Sequence, residues 1–335
     1  MANLFAAWID KVESRLAAVH DRVKNAGPAE LGTCSLEGGC EATIDAMADY
    51  ASKKIKESQQ FFKVPESVRF TLSGRRLEFA SPIRSKSSLN DRVIGDLYLA
   101  GSRGRAVVFL GHWNARRSQY ARLACSLARL GINCLQLSLP YHDERETPNV
   151  GFAREMASEN LGLTIRAHRQ AIIETRLAIG CLDELGFERI GLVGSSLGSS
   201  IATIAAAHDE RVRSLSLILM ADDFTEVVWT GTATRHIRAS LERRFTREEV
   251  KKVWSVVSPI NYADLLGDRR LPIQIFSGNR DTVFEPERTR RYIAAIESGT
   301  RLRWHRFKCG HYSFSRFPFN WMCMLQLHAF LRQEL

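Results

Sequence analysis

The chain has 335 residues, 45% of them apolar and 25% charged. That suits one large α/β domain with an appendage, or two small domains, and excludes a wholly disordered chain. Lys and Arg outnumber Asp and Glu by 47 to 37, a net charge of +10 that is compatible with anionic small molecules, membrane surfaces or nucleic acid and singles out none of them.

In chain order, residues 1–26 predict a helix, because Leu4, Phe5, Trp8, Ile9, Val12, Leu16, Val19 and Val23 recur on one face. The opposite face is charged with mixed signs. That predicts docking onto the rest of the chain, with a subunit or peripheral membrane contact as alternatives. Gly27-Pro28 ends this helix, a Gly-rich break covers 32–39, and a second helix is expected over 42–60. At Val68 the period changes to two. A hairpin fits 68–72 and 77–80, and a further strand fits 92–99. Beyond Gly104, apolar strands alternate with amphipathic helices. Strands are expected at 106–110, 132–137, 190–193, 215–219, 273–276 and 302–307. Helices are expected at 118–130, 161–185, 199–208, 286–297 and 319–333. A helical insertion occupies about 223–265, and Val227, Val228, Trp229, Val250, Val253, Trp254 and Val257 give it an apolar face. This order predicts a mostly parallel, doubly wound sheet with the site along the C-terminal ends of its strands. It also divides the chain into a helical extension, 1–66, and a main domain, 67–335, with the insertion as a lid packed on the sheet edge, or as a lid that also adds an apolar pocket.

No apolar stretch is long enough to span a membrane. The N-terminus lacks a basic start, and Asp10 and Lys11 interrupt its apolar run, so it is a poor secretory signal. Seven cysteines, mostly inside apolar patterns, predict reduced thiols and a cytoplasmic protein. No HExxH, P-loop or basic stripe with stacking aromatics is present, so no metal, cofactor or nucleic acid is expected.

The most informative segment is Gly194-Ser195-Ser196-Leu197-Gly198, placed between an apolar strand and a helix of small residues. A serine on so sharp a turn projects above the sheet, at a helix N-terminus that favours developing negative charge. Asp281 follows the strand 273–276, and His311 follows the strand 302–307 in a Gly-containing loop. Asp222 and Asp223 compete for the acid, and His142, His208, His305 and His328 for the base. This order resembles that of the α/β-hydrolase superfamily over roughly 65–335. The resemblance implies Ser196 as nucleophile, His311 as general acid and base, and Asp281 as the carboxylate that fixes the imidazole tautomer. It also implies an oxyanion hole of the Leu197 N–H and one from Gly111-His112-Trp113-Asn114, with Trp113 first and His112 second. Gly111–Arg117 with Leu139-Pro140-Tyr141-His142 is similar to the α/β-hydrolase-domain-containing 18 group. Ser258–Ala263 resembles the prolyl-oligopeptidase-like and dienelactone-hydrolase-like branch, although dienelactone hydrolases carry cysteine where this chain has Ser196. The expected activity is cofactor-independent cleavage of a small-molecule or lipid-like carboxylic ester or thioester. Acyl transfer or peptide cleavage by the same residues, and a catalytically silent binding domain, are the alternatives. Arginines in the insertion (Arg235, Arg238, Arg243 and Arg244) and around 288–306 are expected near the site entrance, which favours an acidic substrate.

Overall fold

The computed structural model describes residues 2–20, 26–148, 150, 152–296 and 299–335. Helix α1 is Ala2–His20, and the rest of the helix expected over 1–26 falls largely outside the described residues. The side chains of Leu4, Phe5, Val19 and Val23 fall outside as well. Helices α2 (Ile44–Lys56) and α3 (Ser58–Phe61) follow, with the Thr43 side chain capping α2. Strands β1 (Phe70–Ser73), β2 (Arg76–Ala80) and β3 (Arg92–Tyr98) form an antiparallel meander. Then come β4 (Arg105–Leu110), α4 (Arg117–Arg129), β5 (Asn133–Leu137), α5 (Leu161–Glu184), β6 (Arg189–Ser195), α6 (Leu197–Ala207) and β7 (Val212–Ile218). The insertion contributes α7 (Phe224–Thr230), α8 (Arg235–Leu241), α9 (Arg247–Trp254) and α10 (Ala263–Asp268). The chain closes with β8 (Pro272–Gly278), α11 (Pro286–Ile296), β9 (Arg301–Phe307) and α12 (Phe319–Glu334).

Among the described residues the strands form one sheet in the order β1-β2-β3-β5-β4-β6-β7-β8-β9. From β5 onward every pairing is parallel, whereas β3 joins β5 antiparallel. The sheet is therefore mixed, with a parallel majority. Its parallel strands end along one edge, where β6 delivers Ser195 and Ser196.

Both faces of the sheet are covered, and β4 shows why its sequence is apolar from Ala106 to Leu110. Alternate residues point to opposite faces. Ala106, Val108 and Leu110 enter one core, with α2, α5, α6 and α9. Val107 and Phe109 enter the other, with α4 and α12. Met47, Tyr50, Phe61 and Phe62 belong to the first core, so residues 44–62 share the interior of the sheet domain. Val250, Val253, Trp254 and Val257 of the insertion are fully buried in the same core. Those side chains hold the insertion to the domain; they do not line an open acyl pocket.

A buried ion pair ties the loop after β5 to α5. Arg145 donates two hydrogen bonds of 2.8 Å to Glu174, and neither side chain is more than 1% exposed. The same guanidinium donates to Ser138 O and Asn90 O, and Gln170 donates to Glu174 at 2.8 Å. With every donor engaged, the geometry offsets the desolvation of both charges. Removing only the carboxylate strands the arginine. Glu174→Ala is expected to cost about 3 to 5 kcal/mol, read as a fall in the urea midpoint, and no fall would refute the assignment.

Candidate active site

The turn from β6 into α6 places Ser196 at φ 54°, ψ −116°, a backbone region that L-residues avoid. Packing enforces it. The Ser196 N–H donates to Ile218 O at 2.8 Å. A Cβ on Gly194 would lie 2.6 Å from the Gly198 carbonyl carbon, and one on Gly198 would lie 2.6 Å from Gly111 O. Both glycines are needed because backbones approach where side chains would stand. Leu197 is the first residue of α6, so its N–H has no acceptor within the helix and points out from the positive end of the helix dipole.

Asp281 and His311 meet at this turn. Ser196 Oγ lies 3.1 Å from His311 Nε2, and His311 Nδ1 lies 2.8 Å from Asp281 Oδ2. The other carboxylate oxygen of Asp281 accepts from Val283 N at 2.8 Å and from Phe284 N at 2.6 Å. Asp281 therefore caps its own turn and faces the imidazole at once. With both its oxygens accepting, it selects the Nδ1–H tautomer of His311, leaving the Nε2 lone pair towards Ser196. The Phe284 ring stands edge-on to His311, with centroids 5.0 Å apart. Ser196 and Asp281 are buried, and His311 is partly exposed.

The competing groups are engaged elsewhere. Asp223 caps α7 through Thr225 N and Glu226 N, and Asp222 pairs with Arg288 and Arg291. His142 Nδ1–H donates to Pro140 O at 2.8 Å, while its Nε2 accepts from Asn114 N at 2.9 Å. Burial lowers the His142 pKa to about 4, which keeps that acceptor neutral. His208 bonds Ile204 O, His305 meets Gln274 and stacks on Phe276, and His328 faces Leu130 O.

The loop expected to supply the second oxyanion donor, 111–114, is clasped from several sides. Its main chain is held by the His142 bond, and Asn114 Oδ1 accepts from Ala153 N at 2.8 Å. The Trp113 indole donates to Ala153 O at 2.8 Å and stacks on His236 of α8. His112 Nδ1 bonds the Tyr120 hydroxyl, which lies 3.3 Å from Ser195 Oγ. Burial raises the Tyr120 pKa to about 12, so this hydroxyl stays protonated. Arg117 N donates to Asp143. Sequence reasoning singled out both loops but missed the clasp between them. It also missed Tyr120, whose only signal is an aromatic residue one turn into α4.

Several of the arginines are engaged by protein groups. Arg288 is paired with Asp222 and Glu226, and Arg301 and Arg303 reach Glu334. Arg301 begins β9 and pairs with Pro272, so it sits at the sheet edge opposite Ser196. Arg238 bonds Glu242 and Trp229 O, and Arg244 bonds Ala29 O. Part of the charge counted towards an acidic substrate is therefore already taken up within the protein.

Among the described residues no helix is long and apolar enough to cross a membrane, and no group of three or more His, Cys, Asp or Glu side chains is placed to hold a metal ion. No protein-family model and no curated protein matches the sequence. Solved structures do resemble the fold. Acetyl xylan esterase 1 from Thermoanaerobacterium sp. JW/SL YS485 superposes with a TM-score of 0.61 at 14% identity, over 93% of this chain and 98% of that one. The acetyl xylan esterase from Paenibacillus sp. R4 gives 0.60 at 15% identity, over 96% and 99%. The acylaminoacyl peptidase of Pyrococcus horikoshii gives 0.59 at 13% identity, over 83% of this chain and 43% of that one. With the strand order and the serine turn after β6, these likenesses establish that the chain has the α/β-hydrolase fold.

Proposed function

We propose that the chain is a cofactor-independent serine hydrolase that cleaves a carboxylic ester or thioester through an acyl-enzyme on Ser196. The observation that carries this reading is the unbroken hydrogen-bond path from Ser196 Oγ through His311 to Asp281, on a serine held at φ 54°. His311 Nε2 takes the hydroxyl proton as Oγ bonds to the substrate carbonyl carbon. The resulting oxyanion is stabilised by the Leu197 N–H and an N–H from the 111–114 loop, with Trp113 preferred to His112. As the intermediate collapses, the bond to the alcohol or thiol breaks and His311–H⁺ protonates the leaving group. Water, deprotonated by His311, then releases the acid and restores Ser196. The insertion at about 223–265 is the lid, and its side nearest the site is α8, where the His236 ring lies parallel to Trp113 with centroids 6.2 Å apart.

Two neighbours are named acetyl xylan esterases, which makes acetyl the first acyl group to try. The test is hydrolysis of p-nitrophenyl esters of increasing chain length by the wild type and by Ser196→Ala. Turnover by the wild type that Ser196→Ala abolishes supports the reading, and equal rates contradict it. A p-nitroanilide arm reads amide cleavage, since one neighbour is named an acylaminoacyl peptidase.

A further inference from the structure

Helix α1 grips both loops that meet at Ser196. Ile9 is fully buried, in the same core as Phe276, Phe307 and Cys309. Its neighbour Asp10 forms an ion pair with Arg280, the residue before Asp281. One turn further along α1, Glu13 is only 4% exposed. Its carboxylate accepts from Tyr312 N at 3.1 Å and from Ser313 N at 2.5 Å, directly after His311. Gly310, directly before His311, is packed against the same side chain. A Cβ there would lie 2.6 Å from Glu13 Cγ and 2.7 Å from Oε1.

We propose that Glu13 is a positioning residue for His311, and that α1 thereby completes the active site. This rests on the function proposed above. The segment 309–312 has no helix or strand of its own. It is held by Glu13, by the Gly310 N–H donating to Ser313 Oγ at 2.9 Å, and by Arg280 N donating to Cys309 O at 2.9 Å. His311 has to face Ser196 and Asp281 simultaneously, so small drift of its backbone breaks one of the two contacts. A carboxylate is suited to the task because it accepts two N–H groups at once, whereas an amide turns its own donor towards one of them.

The test measures kcat and KM on a reporter ester for full-length Glu13→Ala and Glu13→Gln, with thermal unfolding recorded for each. In Glu13→Ala, kcat is expected to fall about 10- to 100-fold, as for a small misplacement of a reacting group, with KM within about twofold of wild type. Glu13→Gln should fall between the two, and it carries the test by itself if Glu13→Ala does not fold. Gly310→Ala should lower kcat in the wild type but add little in Glu13→Ala, because the clash is with Glu13. That non-additivity is a readout general destabilisation would not give. Folded Glu13 variants with wild-type kcat overturn the proposal. If Ser196→Ala removes activity and the Glu13 variants do not reduce it, the positioning role fails and the hydrolase reading stands. If Ser196→Ala keeps full activity, the hydrolase reading itself fails, and this proposal with it.

Discussion

Asp281→Asn is expected to lower kcat by about 10⁴-fold while leaving the fold intact, in an ester assay run beside circular dichroism. The effect follows from the two sides of this carboxylate. Oδ1 accepts from the Val283 and Phe284 N–H groups, and Oδ2 faces His311 Nδ1. An asparagine keeps its carbonyl oxygen on the two backbone donors, because reversing it would set an NH₂ against them. The amide NH₂ must then face Nδ1, so Nδ1 becomes the acceptor and the ring proton moves to Nε2. That tautomer cannot take the proton of Ser196. The turn around Asp281 is preserved, so stability should barely change. Activity close to wild type would show that Asp281 serves only as a turn residue. A collapse of the fold would show that its charge is needed there for structure.

Acidification should destabilise the protein steeply between about pH 6.5 and 4. His142, His168 and His208 are buried, and desolvation lowers each to a pKa of about 4. In the unfolded chain each returns to about 6.5. Between those values the unfolded state binds protons that the folded state refuses, so stability is lost as the pH falls and is intact above 6.5. At pH 5 the loss is on the order of 2 kcal/mol for each histidine. Asp222 acts in the opposite sense. Burial raises its pKa to about 6, so the folded state takes up its proton first and gains on the order of 1 kcal/mol at the same pH. The histidines outweigh it. Urea midpoints at pH 7.5 and pH 5 read the difference, and His168→Leu, which removes one titrating group from a fully buried site, should make the slope shallower. A midpoint independent of pH over this range would mean that these rings protonate in the folded state.

Much of the architecture was legible because local pattern and tertiary role agree. The apolar strands sit on both-faces-buried positions of the sheet, so the runs 106–110 in β4 and 190–193 in β6 read directly as interior strands. Gly194 and Gly198 were legible for a similar reason: only glycine fits their close backbone approaches. The groups gathered around Ser196 also came from short segments whose place after a strand is visible in sequence order.

What escaped was set by contacts between distant residues. Nothing about Glu13 marks it as an acceptor for Ser313, 300 residues away; on the helix face it reads as one more solvated charge. The same holds for His142 and Asn114, which read as two separate loops until the fold brings them into contact. Arginines misled for the converse reason. Charge counts treat each as free, whereas Arg145, Arg288, Arg301 and Arg303 are paired with particular carboxylates. The apolar face of the insertion was visible, but its partners were not. Trp254 packs edge-on to Phe224 and donates to Leu161 O at the start of α5, so it serves the core.

The most direct measurement is covalent labelling with a fluorophosphonate, followed by peptide mass spectrometry. The account predicts one equivalent of adduct on Ser196 in the wild type, no adduct in Ser196→Ala, and strongly slowed labelling in His311→Ala. Labelling of Ser196→Ala to the wild-type extent, or an adduct on another residue, would contradict it.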